Sequence, residues 1–244
     1  MAESKPLPSK RWWQIRHPKI WIGVLAILLI SAVMWYPAVR KYRAIKRLEA
    51  KKYGVFYRPS LTVVSQLPVS VLQNGCISWI DHQLGIAHSS VDKVKLNTPP
   101  VTEDDFVDLN ALGPVRLFDF QRSELNDHQM HHLARFTKLQ QLYLRRTRIR
   151  DKGLSHIVGL RELTYLHIGS TKVTDVGLKY VAVLPNLKIL WLNHTPITGS
   201  GLSELKSMPK LREVHLDQQQ GSAISEVQWQ QFRTEMPNCE FHIH

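Results

Sequence analysis

Apolar residues recur along this chain at a fixed step. Leu139, Leu163, Leu187 and Leu211 lie 24 residues apart, as do Leu142, Leu166, Leu190 and Val214, and Leu144, Ile168, Leu192 and Leu216. Val115, Phe118 and Phe120 hold the same columns one step back, and Val91, Val94 and Leu96 one step before that. Alternation within each window predicts a strand, with Leu142 and Leu144 facing in and Gln141, Tyr143 and Arg145 facing out. Five residues later comes another apolar column: Val101, Leu125, Ile149, Val173 and Ile197. Triplets such as Phe106/Leu109/Leu112, Leu154/Ile157/Leu160 and Leu178/Val181/Leu184 then predict a returning helix with one buried stripe. No single window can bury its stripe alone, so neighbours must stack.

Polar residues punctuate the same frame. Asn126-Asp127, Asp151, Thr174-Asp175 and Thr198 precede the predicted helices, and their short side chains can accept from free first-turn amides. Ser123, Thr147, Thr171 and Thr195 share one column, where a hydroxyl can bond loop backbone. Gly153 and Gly177 in the D-x-G-L turns serve repeat geometry.

The pattern divides the chain into a tail at 1–19, an apolar stretch at 20–36, a helix at 37–54, an N-terminal cap at 55–90, repeats at 91–217 and a C-terminal cap at 218–244. Residues 20–36 carry no charge and would span about 26 Å as a helix, against a hydrocarbon core of about 30 Å. Trp21, Trp35 and Tyr36 stand at its ends, as interfacial aromatics do. With no evident small-residue cleavage site, an uncleaved single-pass membrane anchor is expected. Pro37 suits a first helical position and Gly54 a helix stop. Between them Tyr42, Ile45 and Leu48 form a narrow stripe among Arg40, Lys41, Arg43, Lys46 and Arg47. That helix is expected to lie on anionic lipid, or else to form a solvated stalk. Lipid contact is thus assigned to residues 12–52.

Charge follows the same division. Residues 1–58 hold 13 of the 32 Lys/Arg and 2 of the 20 Asp/Glu. The remaining 19 and 18 nearly cancel, so no basic face for nucleic acid is expected on the repeats. Counting positive charges favours a cytoplasmic repeat domain by a small margin, and the side is left open.

The segment 139–160 reads L-x-x-L-x-L-x-x-T-x-I-x-D-x-G-L-x-x-I-x-x-L, the signature of a leucine-rich repeat. Together with Arg11-Trp12-Trp13, the helix ending RAIKRLEAKKYGVFY and the Trp79…Leu84-Gly85 segment, the layout resembles bacterial membrane-anchored leucine-rich-repeat proteins. The T-x-V-T-D-x-G-L run at 171–178 is similar to the cysteine-containing or ribonuclease-inhibitor-like subclass. The expected fold is therefore an α/β solenoid, with parallel strands on the concave face, helices on the convex face and an N-terminal transmembrane helix. The resemblance implies no particular ligand.

Candidate chemistry is sparse. No phosphate-binding loop, nucleophile elbow or H-E-x-x-H stands in the sequence. His128, His131 and His132, and His242 and His244, lack the Cys or carboxylate spacing of a zinc site and are expected to face solvent. No metal, cofactor or catalytic residue is assigned. Cys76 and Cys239, in opposite caps, are expected to be free buried thiols. Arg145, Arg146, Arg148 and Arg150 form a local basic cluster, expected to be solvated. The informative residues are on the outward strand columns: Tyr143, Arg145, Tyr165, His167, Ile189, Trp191, Asn193 and His215. Aromatics beside Arg are what binding hot spots are made of, although large residues in a parallel ladder can also simply stack. The expectation is a non-enzymatic module that binds an unidentified protein or peptide. A self-assembling envelope scaffold is the alternative.

Overall fold

The structure, a computed structural model, describes residues 18–58, 90–96 and 101–244. Most of the 55–90 segment, Cys76 and the Trp12-Trp13 pair lie outside the described residues. Eight strands form one sheet in sequence order: β1 (Gly54–Arg58), β2 (Ser90–Lys95), β3 (Leu117–Asp119), β4 (Gln141–Tyr143), β5 (Tyr165–His167), β6 (Ile189–Trp191), β7 (Glu213–Leu216) and β8 (Glu240–Ile243). β1 runs antiparallel to β2, and every later pair is parallel. From β2 to β7 each residue pairs with the one 24 later, as Leu142 does with Leu166. From β7 to β8 the step is 27, as Val214 pairs with Phe241.

The inward columns are fully buried: Leu142, Leu144, Leu166, Ile168, Leu190 and Leu192 are all 0% exposed. The return segments are shorter and tighter than expected. α2 (Glu103–Ala111) and α4 (Asp175–Ala182) are α-helical. Gln129–Arg135 is wholly a 3-10 helix. α3 (Asp151–Leu154) and α5 (Gly199–Leu202) make one turn each before passing into 3-10 helices at Ser155–Ile157 and Ser203–Ser207. A 3-10 helix rises more per residue, so fewer residues cross the convex face. The predicted stripes nonetheless point inward, since Met130, Leu133, Ile157 and Leu205 are 0% exposed.

The repeat punctuation splits into two jobs. Asn126, Thr174 and Thr198 accept from amides of their own first turns, as expected. The aspartates instead reach the next repeat. Asp127 accepts from Arg150 N at 2.7 Å. Asp151 accepts from Thr174 N at 2.7 Å and Oγ1 at 2.8 Å, and Asp175 takes the same pair from Thr198 at 2.8 and 2.6 Å. This explains the glycines. A Cβ at Gly153 would stand 2.5 Å from Asp127 Oδ1, and one at Gly177 2.5 Å from Asp151 Oδ1. The hydroxyls of Thr147, Thr171 and Thr195 are buried and donate to Leu144, Ile168 and Leu192 carbonyls.

The largest departures are at the N-terminal end. α1 (Pro18–Ala50) is one helix, with Pro37 inside it rather than at its start. It ends in a Schellman closure: Tyr53 N bonds Leu48 O and Lys52 N bonds Glu49 O, with Lys52 at φ 62°. Lys52, not Gly54, stops the helix, and Gly54 opens β1. The stripe expected on lipid is in the core instead: Ile45 and Leu48, with Ala44, are 0% exposed, and Tyr42 packs against the same cluster. α1 lies against α2, whose Asp105 and Asp108 are buried. Arg47, assigned above to the membrane surface, gives two hydrogen bonds from Nε and one from Nη2 to Asp108. Lys51 meets Asp105 at 2.6 Å, and Lys46 meets Glu49 at 2.9 Å. The physical reason is complementarity: α2 carries buried carboxylates, and the basic face of α1 neutralises them.

At the other end the C-terminal cap opens with an added helix, α6 (Gln218–Ala223), capped by Asp217. Gln220 Nε2 reaches back to Thr195 O at 2.8 Å. α7 (Glu226–Glu235) follows and packs Phe232 and Trp229 on Phe241 of β8. Cys239 is half-buried and free, and burial pushes its thiol up to about 12.

Candidate functional site

Strand pleating turns one column of each strand outward, and the register aligns those columns. Asp119, Tyr143, His167, Trp191, His215 and His242 are successive Cα partners across six strands. Their rings form a nearly continuous stack. Tyr143 and His167 lie 6.5 Å apart between centroids, His167 and Trp191 5.3 Å, Trp191 and His215 3.7 Å with planes 6° apart, and His215 and His242 4.7 Å. In the neighbouring column Tyr165 packs on Tyr143 at 4.7 Å.

Stacking changes what each residue can offer. His167 and His215 are only 9% and 7% exposed, so they act as walls of the row rather than free surface groups. Tyr143, Tyr165, Ile189, Trp191, Arg145 and Asn193 are half-buried and form the accessible strip. Ile189 sits between Tyr165 and Glu213 in register. Asn193 Nδ2 donates to Leu216 O at 2.9 Å, while its buried Oδ1 has no hydrogen-bond partner. The buried Trp191 Nε1 also meets no acceptor at hydrogen-bond geometry, although the Tyr165 hydroxyl is near enough to feel it.

Burial sets the protonation states. It holds His167 down at about 4, helped by the positive Arg145 and by His215. Burial lowers His215 as well, against an opposing pull from Glu213. Burial raises both Tyr143 and Tyr165. At neutral pH Tyr143, Tyr165, His167 and His215 are therefore uncharged, with the Arg145 guanidinium beside them.

The last strand adds what sequence reasoning left apart from the row: His242, the Cα partner of His215, and His244. Glu213, His215 and His242 bring one donor atom each to within 4.8 Å of one another. His244 Nε2 stands 2.9 Å from His215 Nδ1. The signal was hidden by the 27-residue last step, which a 24-residue frame does not reach. The second histidine group also clusters, on the helix side: His128 and His131 are exposed with rings 5.5 Å apart, His131 lies 3.9 Å from His132, and His132 stacks on Phe106 at 4.5 Å and meets Glu103 at 2.5 Å. Of the basic cluster, Arg148 pairs with Glu124 at 2.9 Å.

Residues 160–182 match the family model described as Leucine Rich repeat. The solenoid is built of leucine-rich repeats. No curated protein matches the chain. Among solved structures, it is similar to an internalin from Listeria monocytogenes at 20% identity and a TM-score of 0.43. That similarity covers 63% of this chain and 43% of the internalin, so this chain spans less than half of that relative's length. Leucine-rich repeats commonly serve as protein-interaction modules, and the stacked row lies on the strand side of these repeats.

Among the membrane-surface candidates, Arg40 and Arg43 are exposed and Lys41 is half-buried, with its pKa lowered by burial. Among the described residues, no helix is long and apolar enough to cross a membrane. Most side chains of 20–36 fall outside that description.

Proposed function

We propose that this protein is a membrane-anchored leucine-rich-repeat module that binds a protein or peptide on its strand face, without catalysis. The observation that carries the reading is the aromatic and imidazole row with its half-buried flank of Tyr143, Tyr165, Ile189 and Trp191. Neighbouring strands lie about 4.8 Å apart, so Tyr143 to His215 spans about 14 Å, the footprint of a short peptide. Rings already locked against one another lose little side-chain entropy on binding, which favours affinity.

Anchoring through 20–36 has a geometric consequence in this reading. Only residues 37–43 separate that stretch from Ala44, which is buried in the core. At 1.5 Å per residue the solenoid would sit within about 12 Å of the membrane. Arg40, Lys41 and Arg43 would then face the headgroups, while Arg47 stays with Asp108. Intact chain recovered in the soluble fraction after a carbonate wash would remove the anchor from the reading.

The binding test uses peptides selected from a random display library on the full chain. Truncating a hot spot costs at least about 2 kcal/mol, or about 30-fold in affinity. Trp191→Ala should show that loss, and Lys188→Ala, at an exposed position of the same repeat, should not. Equal peptide binding by the two variants, both folded, would refute strand-face recognition.

A further inference from the structure

We propose that Glu213, His215 and His242 form a site for one divalent transition-metal ion of the zinc class, at the C-terminal end of the stacked row. Glu213 and His215 are two residues apart on β7, so both project from the same face. His242 is the Cα partner of His215 on β8. One donor from each lies within 4.8 Å of the others. His215 Nε2 and Glu213 Oε2 are 3.3 Å apart. Two ligands of one tetrahedral ion, at bonds of about 2.0–2.1 Å, stand about 3.3–3.4 Å apart.

The surroundings match what a metal-binding imidazole needs. Its other ring nitrogen, Nδ1, is 2.9 Å from His244 Nε2, and such a bond fixes which nitrogen carries the lone pair. In the tautomer with Nδ1 donating, the Nε2 lone pair faces the Glu213 carboxylate, and both are open to one cation between them. Trp191 stacks on His215 at 3.7 Å and holds the ring in place. Glu213 and His242 are half-exposed, so an ion can enter and keep an open coordination position. Two imidazoles and a carboxylate without thiolate suit zinc, cobalt or nickel better than calcium or magnesium.

One adjustment is required. The His215 and His242 rings are 16° from parallel with centroids 4.7 Å apart, so their in-plane lone pairs do not converge as they stand. Binding must turn His242 out of the stack. His242 is half-exposed, so it can turn at the cost of its stacking on His215 and its 3.6 Å approach to Glu240 on the same strand. His215 stays on Trp191.

The site is independent of the peptide reading, because metal uptake is measured on the chain alone. Chelator-stripped full-length protein is titrated with Zn2+ by calorimetry. One ion should bind per chain, and His242→Ala and Glu213→Gln should each weaken it at least about 10-fold. Both positions are partly exposed, so the variants should keep their circular dichroism. His194→Ala, exposed and beside Asp217, is the control and should bind as the parent does. Ni2+ should quench indole fluorescence, and the quenching should vanish in Trp191→Phe. Absence of uptake below about 100 µM, or uptake unchanged by both His242→Ala and Glu213→Gln, would overturn the proposal.

Discussion

The two ends of the solenoid meet the same problem by different physics. A stack of repeats exposes core at each end unless something covers it. At the C-terminal end the cover is aromatic: Phe232 is 1% exposed and meets Phe241 and Trp229 at 5.7 and 6.0 Å. At the N-terminal end the cover is α1, which pairs apolar burial by Ile45 and Leu48 with two carboxylates, Asp105 and Asp108, under basic side chains. Burying a carboxylate costs more than it returns unless the partner is present. The N-terminal end should therefore be specific to α1 and sensitive to loss of a buried carboxylate, whereas the C-terminal end should respond to lost volume.

Phe232→Ala tests the aromatic end and should have the largest effect, a loss of about 4 kcal/mol. Hydrogen exchange should show α7 and β8 opening first while α1 and α2 stay protected. The reverse order would show that the ends are not separately closed.

Asp105→Ala tests the charged end. Asp105 is 1% exposed and accepts from Lys51, from Thr102 N at 2.8 Å and from Tyr53. Removing it strands those donors and should cost about 3 kcal/mol, read as a lower midpoint in urea. Protection should be lost at α1 and β1, not at β8.

Acid should separate the regions. Burial lowers His167, to about 4, so the folded state disfavours its protonation. The groups acting on it are Arg145, His215 and the packed Tyr143 and Trp191. Its contribution is fully present above about 6.5 and is lost as pH falls through about 4, a decrease on the order of 3 kcal/mol. Asp105 behaves differently. Burial alone would raise its pKa, but the bonds from Lys51 and Thr102 outweigh burial and hold it below the usual carboxylate value. Its contribution persists until pH falls below about 3.8. Exchange measured between pH 7 and 4 should therefore loosen β5 and β6 before α1. His167→Phe should flatten that profile.

Arg47→Ala removes a cation whose side chain is 60% exposed, so screening limits the effect to about 1 kcal/mol or less. The difference from the parent should shrink further in high salt. Smallest of all is Ser170→Gly, midway between the ends. Ser170 sits at φ 56°, in register with Arg122, Arg146 and His194 at 62°, 56° and 57°. Glycine relieves the left-handed strain but adds unfolded-state entropy, leaving a net gain of about 0.5 kcal/mol in a thermal melt.

The sequence by itself determined whatever repeats. A 24-residue period sets the register of β2 to β7, the inward leucines and the alignment of Tyr143, His167, Trp191 and His215, because identical windows can bury their stripes only by stacking in phase. It also marked Gly153 and Gly177 as geometric, though not that the aspartate of the preceding repeat fills the space of their missing Cβ. Only tertiary structure decided the contacts that break the period. Helix α1 meets α2 across about sixty residues of chain, between Arg47 and Asp108, and nothing in a local pattern distinguishes a basic stripe facing lipid from one facing buried carboxylates. His242 reaches His215 through a 27-residue step made by the inserted α6. Burial of His167 and His215 likewise follows from how closely neighbouring rings stack, a distance that no single window encodes.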